Sequence, residues 1–403
     1  DVRSSSEEIF AALCEGITDS GSDVYDIGLA TTPMVYFSTV HFNVDASVQI
    51  TASHNPAQYN GLKISRTKAL PVGSDSGLKE LEDMVENETI TLSEKKGVVI
   101  SKDAKQPYLA FLKQFVPDTS TLNLSIDCSH GMANLLVKDL LGEEHHYLYD
   151  HFDGTFPAHE PNPLEVENCK DLQDAVLAQK SDIGVIYDGD ADRVMFLDEK
   201  GRFLQPDYVT AVLGHYYLKK EKGNVLVDIR TSRSTTEYLE KMGATVHVWK
   251  VGHAFAKNKL RELKAIFGGE LAGHYYFRDF FNCDSGFLAS LLVLQVVAEL
   301  KAKGTTIGAF IDSVIAYANS GEINFKLENK DAAVAALFER YVTHDKPSAV
   351  LDFDGYRIEF DTWWFNVRKS NTEPYLRLVV EAKSDEELKQ RTEDLSNIIK
   401  QFH

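Results

Sequence analysis

Positive charge is what this sequence is shortest of. Its 42 Lys and Arg stand against 61 Asp and Glu, a formal net charge of −19, whereas phosphate backbones are bound by clustered Lys and Arg. A nucleic-acid partner is therefore not expected, although a small anion could still be held wherever a few cations converge. Cysteine is sparse too: Cys14, Cys128, Cys169 and Cys283 lie far apart and form no CxxC pair. Neither a zinc site nor a disulfide framework is expected, and a reducing cytoplasm fits. No apolar run approaches the roughly 20 residues that a membrane helix needs, so no membrane partner is expected. The opening DVRSSSEEIF has no basic segment followed by an apolar core, and so does not read as a secretory signal. It also lacks a starting Met, which suggests residues upstream. No internal repeat stands out.

What is present describes a multi-domain globular chain. A length of 403 residues, 43% of them hydrophobic and 26% charged, is too much for one core and suggests about three or four domains. Ser5 and Glu8 have the spacing of a capping box ahead of the apolar positions Ile9, Phe10, Leu13 and Ile17. A strand over 24–28, a helix over 32–40 opened by Pro33, and a strand over 46–50 follow. The alternation indicates an α/β layer.

The last of these strands feeds TASHNP at 51–56. Pro56 fixes its own φ and pushes Asn55 out of the helical region, so the loop is partly shaped by local sterics. Ser53 becomes a candidate nucleophile, with His54 beside it. An ordinary polar turn would carry the same residues.

Further on, a strand over 122–126 precedes the loop 127–131 and a helix over 132–141. The proline-rich 152–163 reads as an ordered surface loop. A strand over 183–187 then ends in DGDADR, and another follows over 194–197. Asp188, Asp190 and Asp192 at i, i+2 and i+4 repel one another, and a divalent cation is the simplest relief. An EF-hand would also use these ligands, with Glu199 at its twelfth position, but Arg193 stands where that loop needs glycine and the flanks are strands.

A third unit opens with a strand over 224–228 and a helix over 234–242. The strand over 245–249 runs into Lys250, Val251, Gly252 and His253, with Lys257 beyond, a candidate anion site or a solvated basic turn. In GELAGH, glycines bracket Glu270 and His274, which could hydrogen-bond sugar hydroxyls. The apolar helix over 285–300 should be core. From about 322 the pattern becomes α+β, with a helix over 331–341, strands over 356–360, 363–367 and 375–381, and a final helix capped from Ser384 to Glu387. Between the last two strands, RKSNTEP supplies Arg368, Ser370, Asn371 and Thr372, and Arg377 returns on the next strand. That set suits a phosphate dianion.

TASHNP, DGDADR, GELAGH and RKSNTEP, in this order, together with FDGTFPAHEPNP, closely resemble the α-D-phosphohexomutase family, nearest to its phosphomannomutase/phosphoglucomutase branch. The resemblance implies an α/β fold of four domains about a central cleft, three similar mixed α/β domains and a smaller α+β C-terminal one. The expected limits are 1–117 (with a strand missing ahead of the DxR segment), 118–219, 220–320 and 321–403. It implies that Ser53 carries a phosphoryl group and that Ser53, Asp188, Asp190 and Asp192 hold Mg²⁺. Arg193, Lys250, His253, Glu270 and His274 would contact substrate, and Arg368, Ser370, Asn371, Thr372 and Arg377 would grip its second phosphate. Arg3, Lys63 and His274 match positions near proton transfer. The implied activity interconverts hexose 6-phosphate and hexose 1-phosphate, of mannose or glucose, with a hexose 1,6-bisphosphate as activator. Ala272 stands where the family usually has serine, so a phosphoglucosamine mutase is an alternative. A DxD-type phosphatase with Asp188 as nucleophile, or a sugar-phosphate binding protein without turnover, are alternatives of other classes.

Overall fold

A computed structural model describes residues 1–87, 91–370 and 374–402. Four successive units each carry their own sheet or sheets. In the first, Val24–Asp26 pairs in parallel with Val99–Ser101, while Ala46–Ile50, Leu62–Arg66 and Leu70–Pro71 form a separate antiparallel sheet. A cavity of about 710 Å³ lies between them, lined in part by Val24, Tyr25, Ala46 and Val48.

The second and third units repeat one plan. His146–Leu148, Leu124–Asp127 and Ile183–Tyr187 are parallel, and Val194–Leu197 and Phe203–Leu204 extend the sheet antiparallel. Likewise Thr245–Trp249, Asn224–Asp228 and Phe267–Gly269 are parallel, followed by antiparallel Tyr275–Phe277 and Cys283–Asp284. Ile183–Tyr187 is buried throughout and Asn224–Asp228 at every position but the first, as expected where helices cover both faces. The fourth unit is an antiparallel sheet in the order Ala318–Lys326, Tyr375–Ala382, Trp363–Lys369, Tyr356–Glu359, Ala349–Leu351.

One hydrophobic core runs through the first three units, and the fourth has its own. The helix Gly286–Ala302 is the centre of the large core. It is apolar nearly all round and buried along most of its length, and Ser285 caps it by accepting from the Leu288 amide. Truncating a side chain such as Leu291, 1% exposed, should cost about 2–5 kcal/mol. The fourth unit docks through polar contacts instead. The buried Arg357 guanidinium donates to the carbonyls of Ile229 and Thr231 at 3.0 and 2.7 Å, and Arg233 donates to Glu359 and the Phe360 carbonyl.

Several local expectations are corrected. Ser5 does not cap the first helix, Ser6–Asp19, with its side chain, because its hydroxyl accepts from Asn60 instead. The helix expected over 132–141 breaks at Leu136 into a 3-10 turn and Val137–Leu141. Lys257 is not on a basic turn. It lies inside the helix His253–Leu263, fully buried 2.7 Å from Asp284. The Glu199 carboxylate caps the helix Ile307–Val314 through Thr306 and the Gly308 amide, so it is committed far from the three aspartates and the EF-hand reading falls.

Candidate active site

The strand Ala46–Ile50 ends at the serine loop, and Ser53 takes a left-handed φ of 52°, an uncommon conformation for a residue with a Cβ. Arg3 holds this loop. Its guanidinium donates to the carbonyls of Ser53, Asn55, Pro56 and Tyr59 and to the Asp1 carboxylate. Arg3 is 2% exposed, so it acts on the site through the backbone it braces.

DGDADR comes from the adjacent unit and touches that backbone. A Cβ built on Gly189 would lie 2.5 Å from the Ser53 carbonyl oxygen, so only glycine permits the two loops to approach this closely. The Ser53 hydroxyl donates to Asp188 Oδ2 at 2.8 Å. Thr32, at the start of the helix Thr32–His41, donates its hydroxyl to Asp190 Oδ2 at 2.5 Å and its amide to the Asp190 carbonyl.

All three aspartates are fully buried, and one ligand oxygen from each lies within 4.8 Å of the others. At that spacing and an effective dielectric near 20, each pair repels by about 3–4 kcal/mol. Lys63 relieves part of this, with Nζ 2.7 Å from Asp190 and 2.5 Å from Asp192. Burial alone would depress the Lys63 ammonium, but the charges of Asp190, Asp192 and Asp188 outweigh it and hold the pKa far above its ordinary value. Burial, then the charges of Asp190 and Asp192, push the Asp188 carboxyl well above the carboxylate range. Asp190 is also penalised by burial, yet Lys63 and Thr32 hold its carboxyl below the usual value. Asp190 Oδ1 and Asp192 Oδ1 are buried without a hydrogen-bond donor. Such all-oxygen donors suit a hard divalent cation, and one ammonium does not balance three carboxylates. The residues fit a metal.

Beside them, the His54 imidazole is pushed down to about 3 by burial, then by the charges of Arg193 and Lys63, so it is neutral at neutral pH. Arg193 donates its backbone amide to Asp188 Oδ1 and its Nε–H to His274 Nε2. His274 Nδ1 lies 3.8 Å from Asp192 and 2.7 Å from Asp284. Glu270 is buried and raised by that burial, and accepts from Tyr276 Oη and the Gly252 amide. The His253 ring is 5.9 Å from that of His274, and burial, then Lys257, push its pKa far down. Lys250 stands over the Phe255 ring at 5.5 Å.

From the fourth unit, Arg368 faces Asp354, and burial, then the charge of Arg230, lower its pKa. Arg377 pairs with Glu322 at 3.1 Å, and so does Arg230 at 3.5 Å. Ser370 is buried here. Asn371 and Thr372 lie outside the described residues. Ser53, Asp188, Arg193, His274, Asp192, Lys63 and Asp190 are joined in one run of contacts, while Arg377 on the fourth unit is joined to Arg230 through Glu322. Sequence reading missed Thr32, Asp284, Arg230 and Tyr276; only Arg230 carried a signal, as a cation in the loop directly after a strand.

Sequence profiles of the phosphoglucomutase/phosphomannomutase family match in series: α/β/α domain I over residues 1–92, domain II over 106–201, domain III over 205–317 and the C-terminal domain over 322–398. The chain belongs to this family. It is therefore a mutase of the phosphotransferase type, and the phosphatase and non-catalytic alternatives are set aside. The "Phosphohexose mutases" of Xanthomonas campestris pv. campestris (strain B100) are 39% identical over 411 residues, covering 99% of this chain and 90% of theirs. The phosphomannomutase of Escherichia coli K12 is 37% identical over 399 residues, covering 96% and 86%. A crystal structure of a phosphoglucomutase/phosphomannomutase family protein from Burkholderia thailandensis superposes with a TM-score of 0.87 at 27% identity, covering 99% of this chain and 87% of that one.

Proposed function

We propose that this mutase interconverts hexose 6-phosphate and hexose 1-phosphate, with mannose and glucose as its sugars, through a phosphoserine at Ser53 and a hexose 1,6-bisphosphate. The observation that carries the reading is the Ser53 hydroxyl 2.8 Å from Asp188, beside a buried carboxylate cluster with unpaired oxygens. Ser53, Asp188, Asp190 and Asp192 would hold Mg²⁺, which when bound neutralises charge on the transferring phosphoryl group. Phosphomannomutase is also the name borne by several of the relatives.

In the transfer, the sugar hydroxyl oxygen forms a bond to phosphorus as the bond from Ser53 Oγ breaks. The hydroxyl's proton leaves, and Ser53 Oγ regains one. Little covalent work falls to the protein, so alignment and charge carry the catalysis. Lys63, held charged by its aspartates, and Arg193 offer positive charge near the serine. Glu270 and His274 read sugar hydroxyls, Lys250 and His253 border them, and Ala272 supplies no hydroxyl of its own. Arg368, Ser370, Asn371, Thr372 and Arg377 hold the phosphate that does not react. The bisphosphate then turns over so that its other phosphate faces Ser53, which explains two separated anion sites and a bisphosphate activator.

Intact mass of the purified protein with and without Ser53→Ala tests the carrier. It is paired with turnover of mannose 1-phosphate, glucose 1-phosphate and glucosamine 6-phosphate in the presence of a hexose 1,6-bisphosphate. A phosphoryl adduct lost in Ser53→Ala, together with lost turnover, is expected. Retained mutase turnover in Ser53→Ala would falsify the phosphoserine route.

A further inference from the structure

We propose that Tyr276 is a positioning residue whose buried hydroxyl, together with the Gly252 amide, fixes the plane of the Glu270 carboxylate so that this group can accept from sugar hydroxyls. The inference rests on the sugar-reading role given to Glu270 above and deepens it.

The argument begins with acceptor sites. Glu270 is 3% exposed, and among the described residues its carboxylate forms no ion pair. It is met instead by two neutral donors, one on each oxygen. Tyr276 Oη donates to Oε1 at 2.8 Å and the Gly252 amide donates to Oε2 at 3.1 Å. An ionised carboxylate has about four acceptor sites, so each oxygen can accept once more. Donors on both oxygens also hold the plane of the group, which a single donor would leave free to rotate.

Both donors are themselves held. Tyr276 is the middle residue of the strand Tyr275–Phe277, paired with Gly268 on one side and Asp284 on the other. It is 0% exposed, in a small apolar cluster with Leu226, Ala256 and Leu260, so its hydroxyl cannot follow Glu270 to another place. Gly252 takes a φ of 126°, a conformation that favours glycine. The Val251 amide just before it donates to Asp354 of the fourth unit at 2.8 Å. Glu270 is equally constrained. Its amide donates to the His274 carbonyl and its carbonyl accepts from the Gly273 amide, both at 2.9 Å, while the Leu271 amide donates to Asp228 at 2.7 Å.

A simpler reading is that Tyr276 merely finds an acceptor for a buried hydroxyl. A backbone carbonyl would serve that purpose. Burying a carboxylate with no cation in contact is costly, and the fold gains no stability from placing one here. What the arrangement keeps is a pair of aimed acceptor sites, which suit two hydroxyls of a ligand.

Sugar hydroxyls that do not react are held alike in the ground state and the transition state, so a loss at this contact should appear in KM. Tyr276→Phe removes only the hydroxyl. In the full-length protein it should raise KM for mannose 1-phosphate and glucose 1-phosphate by about 10–100-fold, the range of one hydrogen bond to a charged group, with kcat within about threefold. Competitive inhibition by inorganic phosphate, which has no sugar hydroxyls, should stay within twofold; a general collapse of the site would move it too. 4-Aminophenylalanine at position 276 restores a donor and should bring KM back to within about threefold of the wild type. In the Glu270→Gln background, Tyr276→Phe should add no further loss, because the charge it serves is gone. If Tyr276→Phe alone fails to fold, that pair of variants carries the test. A further tenfold loss there overturns the proposal, as does a KM for Tyr276→Phe within twofold of the wild type while Glu270→Gln raises it. An unchanged KM in Glu270→Gln instead overturns the sugar-reading role itself, and the role of Tyr276 with it.

Discussion

The Ser53 hydroxyl and the Asp188 carboxylate, 135 positions apart in sequence, meet at 2.8 Å. Their meeting depends on Gly189, where a Cβ would lie 2.5 Å from the Ser53 carbonyl oxygen. Backbone cannot yield there as a flexible side chain could, so one loop must retreat. Gly189→Ala should therefore lower kcat by about 100-fold, the scale of a misplacement near 1 Å. Unfolding stability should fall only by what a single overpacked contact costs, about 1–3 kcal/mol. Unchanged kcat in a folded variant would show that the approach of the two loops does not matter.

Arg3 carries the second prediction. Arg3→Met keeps much of the buried volume but strips donors from the carbonyls of Ser53, Asn55, Pro56 and Tyr59. Each buried acceptor left alone costs about 1–3 kcal/mol, although Asn55 and Tyr59 are exposed and water can replace those bonds. A loss of several kcal/mol by urea denaturation, with kcat falling more than KM rises, is expected. A stable variant with normal kcat would mean the loop needs no brace.

Much of this was legible in the chain, and the reason is local. Strands that stop at polar loops, three aspartates on alternate positions, and Ser384 accepting from the Glu387 amide are decided by residues within a few positions of one another. What was not legible is decided across units. Ser5 has the capping-box spacing, but Asn60 recruits its hydroxyl. Lys257 reads with Lys250 as an anion site or a solvated basic turn, and only the fold reveals Asp284 as its partner. Thr32 reads as an ordinary helix start until Asp190 arrives from another sheet. The split of the first unit into two sheets likewise has no signature in its strand pattern.

Metal dependence gives a third prediction through Lys63, whose ammonium neutralises the same Asp190 and Asp192 carboxylates that would hold a divalent cation. The two cations compete. EDTA should abolish turnover and added Mg²⁺ restore it. In Lys63→Met, the uncompensated carboxylates should bind Mg²⁺ more tightly, so the midpoint should rise more on adding Mg²⁺ than in the wild type. Saturation at 100 times Kd stabilises by about 2.7 kcal/mol, large enough to read by calorimetry. A smaller Mg²⁺ shift in Lys63→Met than in the wild type would show that Lys63 assists the metal rather than competing with it.

The fourth prediction concerns stability against pH. Asp207, 4% exposed at the start of the helix Pro206–Tyr217, is pulled two ways. Burial raises its carboxyl, the Ser232 amide at 3.0 Å lowers it, the charge of Glu381 raises it again, and the Tyr208 amide at 2.9 Å lowers it. Burial wins, and the pKa is pushed up to about 7. An unfolded Asp ionises near 3.9, so between about pH 4 and pH 7 the unfolded chain gives up a proton that the folded chain keeps. The contribution of Asp207 to stability falls as pH rises through that window and levels off above it, by at most about 4 kcal/mol for a shift of three units. Asp207→Asn cannot ionise, so the wild type should lose stability relative to this variant from pH 4 to 7 in urea titrations. If the wild type instead gains on the variant with rising pH, the two amides at the helix start outweigh burial, and Asp207 is a charged cap.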